Sequence, residues 1–320
     1  MSFNMQFKIL VKHLIPAPLI KALMPILILA RAKKRGFQLK RRGEQLDIIN
    51  GSKVIRLSLD HGIYGKDIIE SFDYYYDAVL PIRYCGMELV DYSTPRYHDV
   101  RGYENCPILF PSLAEPLVTT YQYIEFASLT EGMVVLDLGA YSGLTSIIFS
   151  QAVGVTGVVV AIEADPLNNE CIQRNISRFL KAKQNKIYIL SGAVWNHNEG
   201  IEFSCEGNMG SSATGIVGKN RGTTRLVPSF TLSKILQTFN LTRVDFIKCD
   251  VEGAEKVIFE DMDFFRRFSP KIIIEPHIVD GIETTEATIG QLAKWGYRCE
   301  KILQHGVSLP LIQASPTMMA

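Results

Sequence analysis

The chain has 320 residues, of which 47% are hydrophobic and 21% charged, and its 34 basic and 33 acidic side chains give a formal net charge of +1. This composition excludes a disordered chain, a collagen-like repeat and a protein with many membrane spans. The six cysteines are scattered without a Cys-x-x-Cys pair. Their spacing disfavours a zinc ribbon or a disulfide scaffold and favours a reducing, cytoplasmic compartment.

Residues 1–43 are predicted to form a basic and apolar N-terminal arm. They contain ten Lys or Arg and no acid, which leaves 24 basic against 33 acidic side chains in the rest of the chain. The apolar run Leu14–Ala30 is interrupted by three prolines and a lysine, too often for a membrane-spanning helix or a signal peptide. Two alternatives stay open: an interfacial segment that meets anionic lipid at the inner face of a membrane, or a basic helix docked on the acidic body of the chain.

Residues 44–110 are predicted to be an accessory region. Short apolar runs such as Val54–Leu59, and the tyrosines of Tyr74–Tyr76, indicate short strands and a helix, but no sustained period emerges. The sequence gives no function for this region.

Residues 111–320 show the alternation of a doubly wound α/β domain. Near-continuous apolar strands separated by helices are typical of a mostly parallel sheet covered on both faces. The predicted helices are Pro116–Leu129, Ser142–Gln151, Pro166–Phe179 with Asp165 as N-cap, Thr231–Phe239, Ala254–Phe259 and Thr285–Trp295. The predicted strands are Val134–Leu138, Val158–Ile162, Ile187–Leu190, Val244–Lys248 and Lys271–Glu275. Two further runs, Tyr297–Leu303 and Leu309–Gln313, predict an antiparallel hairpin at one edge and bring the sheet to seven strands.

The string VVLDLGAYSGLTS follows the first of these strands. Asp137 ends the strand, and Gly139 and Gly143 allow a tight turn, so a ligand can approach the next helix N-terminus. Glu163 ends the second strand, where a carboxylate can accept hydrogen bonds from both ribose hydroxyls. Tyr141 occupies the second glycine position of a dinucleotide fingerprint, and Asp137 would repel phosphate. The turn therefore predicts an adenosine-bearing ligand with a cationic or amino-acid part.

The string VDFIKCDVEGAE marks a second group of polar side chains. Asp250 ends the fourth strand and Glu252 opens the next helix, while Glu275 and His277 follow the fifth strand. We expect Asp250, His277 and Glu275 to be catalytic, and Asp250, Glu252 and Glu275 to be able to hold Mg²⁺. The alternative interpretations are an acid in a helix first turn for Glu252 and an ordinary loop residue for His277.

Together with SGAVWN at residues 191–196 and GNMGSSATGI at residues 207–216, these strings resemble the FkbM family of S-adenosylmethionine-dependent methyltransferases over residues 111–310. The resemblance implies a class I, Rossmann-like methyltransferase fold. It also implies which residues bind the cofactor: the methionine end at Asp137, Gly139 and Gly143 with Ala140 beside them, the ribose at Glu163, and the adenine at Ala193 and Val194. Tyr141 departs from the family, which usually has asparagine there.

The expected reaction is methyl transfer from the sulfonium to a hydroxyl of a sugar or secondary metabolite. The expected methyl acceptor is a small molecule, a glycan or a lipid-linked compound. The arm at residues 1–43 would contact an anionic membrane surface. Nucleic acid is not expected, because the body is acidic and the N/D-P-P-[YF] motif is absent. Two other classes stay open: a nicotinamide-dependent oxidoreductase, and a non-catalytic membrane-associated interaction protein on the same fold.

Overall fold

The computed structural model describes residues 28–181, 183–205, 207, 211–213, 223–279, 282–307 and 310–317. The chain divides into two compact units, residues 1–117 and 118–320. The finer division into 1–43, 44–110 and 111–320 stays a prediction.

The first unit is built on a five-stranded sheet with strand order β1-β2-β3-β5-β4, in which only β3 and β5 run parallel. A separate antiparallel pair joins β6 to β7. The strands are β1 (Gln38–Arg42), β2 (Gln45–Asn50), β3 (Lys53–Ser58), β4 (Ile82–Tyr84), β5 (Met87–Tyr92), β6 (Arg96–His98) and β7 (Ile108–Phe110). A 3₁₀ turn (Asp60–Tyr64) and the helices α1 (Gly65–Glu70) and α2 (Phe72–Tyr76) connect β3 to β4. The short strands and helices expected from the sequence are therefore present.

The described part of the basic arm packs within this first unit. Residues 28–34 are helical, Ile28 and Ala32 are buried, and the Arg31 guanidinium lies 3.2 Å from the Glu70 carboxylate. Residues 38–42 form the edge strand β1, which pairs with β2. These contacts favour docking over lipid contact for this half of the arm, while residues 1–27, with most of the apolar run, lie outside the described residues. No helix in the described ranges is long and apolar enough to cross a bilayer.

The second unit is built on a seven-stranded sheet with strand order β10-β9-β8-β16-β17-β21-β20. Its strands are β8 (Val134–Leu138), β9 (Val158–Glu163), β10 (Lys186–Ser191), β16 (Phe246–Cys249), β17 (Lys271–Ile274), β20 (Tyr297–Leu303) and β21 (Pro310–Pro316). Its helices are α3 (Leu117–Ala127), α4 (Leu144–Val153), α5 (Pro166–Leu180), α6 (Leu232–Thr238), α7 (Glu255–Ile258), α8 (Met262–Phe265) and α9 (Thr285–Lys294). Every residue of β8 and β16 is buried, as expected for strands covered on both faces.

The predicted doubly wound, seven-stranded and mostly parallel sheet is confirmed. Strands β10, β9, β8, β16 and β17 run parallel, and β20 and β21 form the antiparallel hairpin. One detail differs, because β21, the strand that opposes its neighbours, lies between β17 and β20 rather than at the edge. Within the hairpin, the later strand β21 pairs with β17, and the earlier strand β20 forms the edge of the sheet.

The segment between β10 and α6, for which the sequence predicted no elements, contains small sheets. Strands β11 (Ala193–Val194) and β15 (Ser229–Phe230) run parallel, and β12 (Ile201–Cys205) pairs with both β13 (Ser212–Ala213) and β14 (Thr223–Val227). A last small hairpin, β18 (Ile278–Val279) with β19 (Ile282–Glu283), follows β17. These sheets lie at the carboxyl edge of the main sheet, where ligands of open α/β folds bind.

Candidate active site

A glycine turn follows β8 and joins it to α4. Gly139 and Gly143 have left-handed backbones with φ of +77° and +79°, as their positions in the motif predict. The amides of Gly139 and Ala140 both donate to the Ile162 carbonyl of the neighbouring strand, at 3.0 and 2.9 Å. Tyr141 is also left-handed, at φ +49°, a conformation that asparagine adopts more readily than tyrosine. The two backbone hydrogen bonds to Ile162 hold the turn to β9.

Asp137 lies directly before this turn and is fully buried. One carboxylate oxygen accepts a 2.5 Å hydrogen bond from the Ser146 hydroxyl, and the other lies 3.5 Å from the Lys248 ammonium. Burial raises the pKa of Asp137, and the ammonium of Lys248 and the hydrogen bond from Ser146 oppose that shift. Lys248 therefore favours the ionised form of this carboxylate.

Lys248 connects the turn to the second group of predicted residues. Its side chain is only 3% exposed, and its ammonium donates to the Gly139 carbonyl at 2.8 Å. The same ammonium lies 3.4 Å from the Asp250 carboxylate. The sequence analysis missed this residue, although a lysine in a strand of otherwise buried residues signals a buried ion pair.

Glu163 ends β9 and faces the turn. Its Oε2 accepts from the Tyr141 amide at 2.9 Å and its Oε1 from the Asp165 amide at 2.8 Å. A carboxylate oxygen can accept about two hydrogen bonds, so each oxygen keeps one acceptor direction. Burial raises the pKa of Glu163 to about 7, against the opposing effect of the two amides. The residue is therefore able to receive a pair of vicinal hydroxyls.

Asp165 caps α5 as expected and also fixes a distant segment. Its Oδ1 accepts from the Leu167 amide at 2.8 Å, the N-cap interaction expected for an aspartate before Pro166. Its Oδ2 accepts from the Gly207 amide at 2.8 Å and the Ser211 hydroxyl at 2.6 Å. The GNMGSSATGI string thus reaches the edge of the site through Asp165, although most of it lies outside the described residues.

Ala193 and Val194 are buried in β11 and pair with Ser229 and Phe230. A cavity of about 430 Å³ lies beside Gly192, the residue that precedes Ala193. It is lined by the start of α5, the residues after β9 and β10, and the end of β14, including Ala164, Pro166, Asn169, Gly192, Arg225 and Pro228. Ala193 and Val194 do not line this cavity, so their predicted adenine contact stays a prediction.

Asp250, Glu252 and His277 come together at the carboxyl ends of β16 and β17. The His277 Nε2 lies 3.4 Å from Asp250 Oδ1 and 3.4 Å from Glu252 Oε1. Its Nδ1 lies 2.9 Å from Oε1 of Glu255, a fully buried side chain that the sequence analysis missed. Burial lowers the pKa of His277, but the carboxylates of Glu252 and Glu255 outweigh it and the net shift is upward. Glu252 has φ +50° and Gly253 +101°, so the helix predicted from Ala254 begins only at Glu255.

Glu275 does not belong to this cluster of described residues. Its carboxylate accepts a hydrogen bond from the Tyr123 hydroxyl of α3, and burial raises its pKa to about 7, against opposing effects of His277 and Gln304. The predicted metal set of Asp250, Glu252 and Glu275 therefore differs from the set that the geometry brings together, in which His277 replaces Glu275. The difference arises because Glu275 is the first residue after β17, and its side chain turns toward α3 rather than toward Asp250.

The strand order and the glycine turn with its acidic partner define a class I S-adenosylmethionine-dependent methyltransferase. A family model described as "Methyltransferase FkbM domain" matches residues 137–299, just over half of the 320 residues. The chain belongs to the FkbM methyltransferase family. This membership supports methyl transfer over the nicotinamide-dependent and non-catalytic alternatives.

Solved structures with similar folds include several methyltransferases. The methyltransferase FkbM from Methylobacillus flagellatus KT is 16% identical, with 61% of this chain and 50% of that chain covered and a TM-score of 0.38. The precorrin-6y C5,15-methyltransferase from Geobacter metallireducens GS-15 is 16% identical, with coverages of 63% and 89% and a TM-score of 0.41. The O-methyltransferase TomG from Streptomyces achromogenes, solved in complex with SAM, is 11% identical, with coverages of 64% and 81% and a TM-score of 0.41. No curated protein matches the chain.

Proposed function

We propose that the enzyme transfers the methyl group of S-adenosylmethionine to a hydroxyl of a sugar or a secondary metabolite. The observation that carries this proposal is Lys248, whose ammonium lies beside Asp137 and Gly139 on one side and Asp250 on the other. A cofactor on the glycine turn and a proton acceptor at Asp250 would therefore be neighbours. Methyl transfer to oxygen requires little more than this alignment and the removal of one proton.

The proposed cofactor site follows the turn. Glu163 accepts the ribose hydroxyls, and its two free acceptor directions support this role. Asp137, Gly139, Ala140 and Gly143 receive the methionine end. The Oδ1 of Asp137 is buried and lies 3.5 Å from the Lys248 ammonium, but it accepts no hydrogen bond among the described residues, which supports a ligand donor such as an ammonium group nearby.

In the proposed reaction the acceptor hydroxyl donates its proton to Asp250 as its oxygen forms a bond to the methyl carbon. The carbon–sulfur bond breaks, and its electron pair neutralises the sulfonium, which leaves S-adenosylhomocysteine. The Asp250 side chain is about one quarter exposed, so an acceptor from solvent can reach it. Glu275 and His277 stay proposed catalytic residues, and a need for Mg²⁺ stays a prediction.

Asp250→Asn should lower kcat at least about 100-fold, because it removes the proton acceptor while keeping the shape of the side chain. Its affinity for S-adenosylmethionine should change less than about threefold, since Asp250 faces the acceptor. The measurement is release of S-adenosylhomocysteine with a panel of sugar and phenolic hydroxyl acceptors, beside calorimetry with the cofactor. Asp263→Asn, an exposed change on α8, is the matched control and should behave as wild type. Turnover only with amine or thiol acceptors would contradict the proposal.

The affinity for S-adenosylmethionine should rise with pH between about 6 and 8, because the pKa of Glu163 is raised to about 7 and the cofactor favours its ionised form. Below that pKa the carboxyl is protonated and must lose its proton on binding, which costs up to about tenfold in affinity per pH unit. Asp165 and Lys248 are the other charged groups that affect Glu163. Calorimetry at three pH values measures the slope. Glu163→Gln, measured in parallel, lacks the titrating carboxyl and so shows the part of the slope that comes from the ligand itself, and equal slopes in both proteins would refute the assignment.

The lipid-linked acceptor and the membrane contact of residues 1–43 stay predictions. The Arg31 pairing with Glu70 and the position of residues 38–42 in a sheet support the docked alternative for the described half of the arm.

A further inference from the structure

Three side chains at the mouth of the site have the arrangement of a metal-binding triad. One ligand atom each from Asp250, Glu252 and His277 lies within 4.8 Å of the others, and both distances from the imidazole Nε2 are 3.4 Å. A tetrahedral ion with bonds of about 2.1 Å separates its ligands by about 3.4 Å. The three atoms are therefore spaced for one small ion with little movement of the backbone.

The imidazole is oriented from behind by a carboxylate. Glu255 Oε1 lies 2.9 Å from His277 Nδ1 and also accepts from the Gly253 amide at 3.1 Å. With its Nδ1 engaged in this way, His277 turns Nε2 toward Asp250 and Glu252. Metal-binding histidines in proteins commonly have such a carboxylate at their second nitrogen, where it fixes the ring and strengthens it as a ligand.

The surroundings of Glu255 give a second observation, since three carboxylates face a single imidazole here. The Glu255 side chain is fully buried, and its Oε2 has no hydrogen-bond partner within the described ranges. A buried carboxylate oxygen without a partner is costly unless a cation lies nearby. Asp250 and Glu252 add two more carboxylates, and Lys248 is already placed between Asp250 and Asp137.

We propose that Asp250, Glu252 and His277 bind a divalent transition-metal ion such as Mn²⁺ or Zn²⁺, with Glu255 as the carboxylate behind His277. The two carboxylates suit Mn²⁺ and the imidazole suits Zn²⁺, whereas Mg²⁺ prefers a set of oxygen ligands with several waters. Glu275, which bonds to Tyr123, is not a ligand.

The role of the ion rests on the proposed function. The Asp250 side chain is about one quarter exposed, so a hydroxyl of the acceptor would reach an ion held there and have its pKa lowered. Binding of the ion itself requires neither cofactor nor acceptor and is tested without them.

The test is a titration of the full chain with MnCl₂, followed by electron paramagnetic resonance of free Mn²⁺ and by calorimetry. We expect one Mn²⁺ per chain, retained against a 100-fold excess of Mg²⁺. His277→Gln should lower the affinity more than about 100-fold and Glu255→Gln about 10- to 100-fold. Glu275→Gln is the matched control and should change it less than threefold. Circular dichroism verifies that each variant is folded.

Several outcomes would overturn the proposal. If the wild-type protein bound neither Mn²⁺ nor Zn²⁺, the proposal would be refuted whatever the variants showed. If Glu275→Gln lost Mn²⁺ binding while His277→Gln retained it, the ligands would be the oxygen-only set of Asp250, Glu252 and Glu275. Ion binding without hydroxyl methylation would leave the metal site intact and contradict only the proposed function.

Discussion

Glu163→Ala should reduce the affinity for S-adenosylmethionine by about 10²- to 10⁴-fold, because the change removes two hydrogen bonds to a charged acceptor, each worth about 1.5–3 kcal/mol. Among the described residues Glu163 accepts from two backbone amides, one on each oxygen, and these leave one acceptor direction on each oxygen for the ribose. The same change leaves the amides of Tyr141 and Asp165 without their acceptor, which adds to the loss by loosening the turn.

Calorimetry with S-adenosylmethionine and with its demethylated product measures this effect. Both ligands carry the same ribose, so both affinities should fall together. Glu286→Ala is the matched control, because Glu286 is 80% exposed and its ion pair in the described part of the chain is with Lys301 at the surface. Thermal denaturation separates a loss of binding from a loss of folding. An affinity equal to wild type in a folded Glu163→Ala protein would show that the ribose binds elsewhere.

The architecture of the second unit was predictable because its strands are short, apolar and separated by helix signals. The Asp165-Pro166 pair marked the start of α5 correctly, and nearly continuous apolar runs such as Val158–Ile162 required a sheet covered on both sides. The hairpin of β20 and β21 was also predicted, but its order in the sheet was not. Strand order depends on which neighbours pair, and local sequence does not determine that choice.

The candidate site was predicted only in part, because the contacts of its side chains also depend on distant parts of the chain. The residues at strand ends, such as Glu163 and Asp250, could be identified because parallel strands bring their carboxyl ends to one edge. The direction of each side chain could not. Glu275 turns to Tyr123, which is 152 positions earlier in the chain, and Glu255 reaches His277, which is 22 positions later. Such partners become visible only when the packing of helices on the sheet is known.

Lys248 shows most clearly which contacts cannot be predicted from local sequence. Within its own string it reads as a charged interruption of an apolar strand, yet it joins the glycine turn to Asp250 across two neighbouring strands. The register pairs Lys248 with Asp137, so the two side chains leave the sheet on the same face. A strand register is a long-range property, and the ion pair that follows from it was beyond local reasoning.

Gly139→Ala should lower the stability by about 2–5 kcal/mol, the combined cost of a left-handed alanine and of an overpacked contact. Gly139 has φ +77°, and a Cβ built there would lie 1.7 Å from the Asp250 carbonyl oxygen. Backbone atoms cannot move aside as a side chain can, so the turn or the end of β16 must shift. Because Lys248 bonds to the Gly139 carbonyl, the shift should also disturb the ammonium that lies between Asp137 and Asp250.

Thermal denaturation should show a Tm lower by about 4–20 °C in Gly139→Ala, given about 2–4 °C per kcal/mol for a unit of this size. Cofactor affinity should fall as well, since the turn that receives the methionine end is displaced. Gly290→Ala is the matched control, because Gly290 lies in helix α9 with nothing within 4 Å of its added Cβ. That alanine should stabilise the protein by up to about 1 kcal/mol through helix propensity. If both alanines left the Tm and the cofactor affinity unchanged, the close approach of the turn to Asp250, on which donor and acceptor alignment depends, would be refuted.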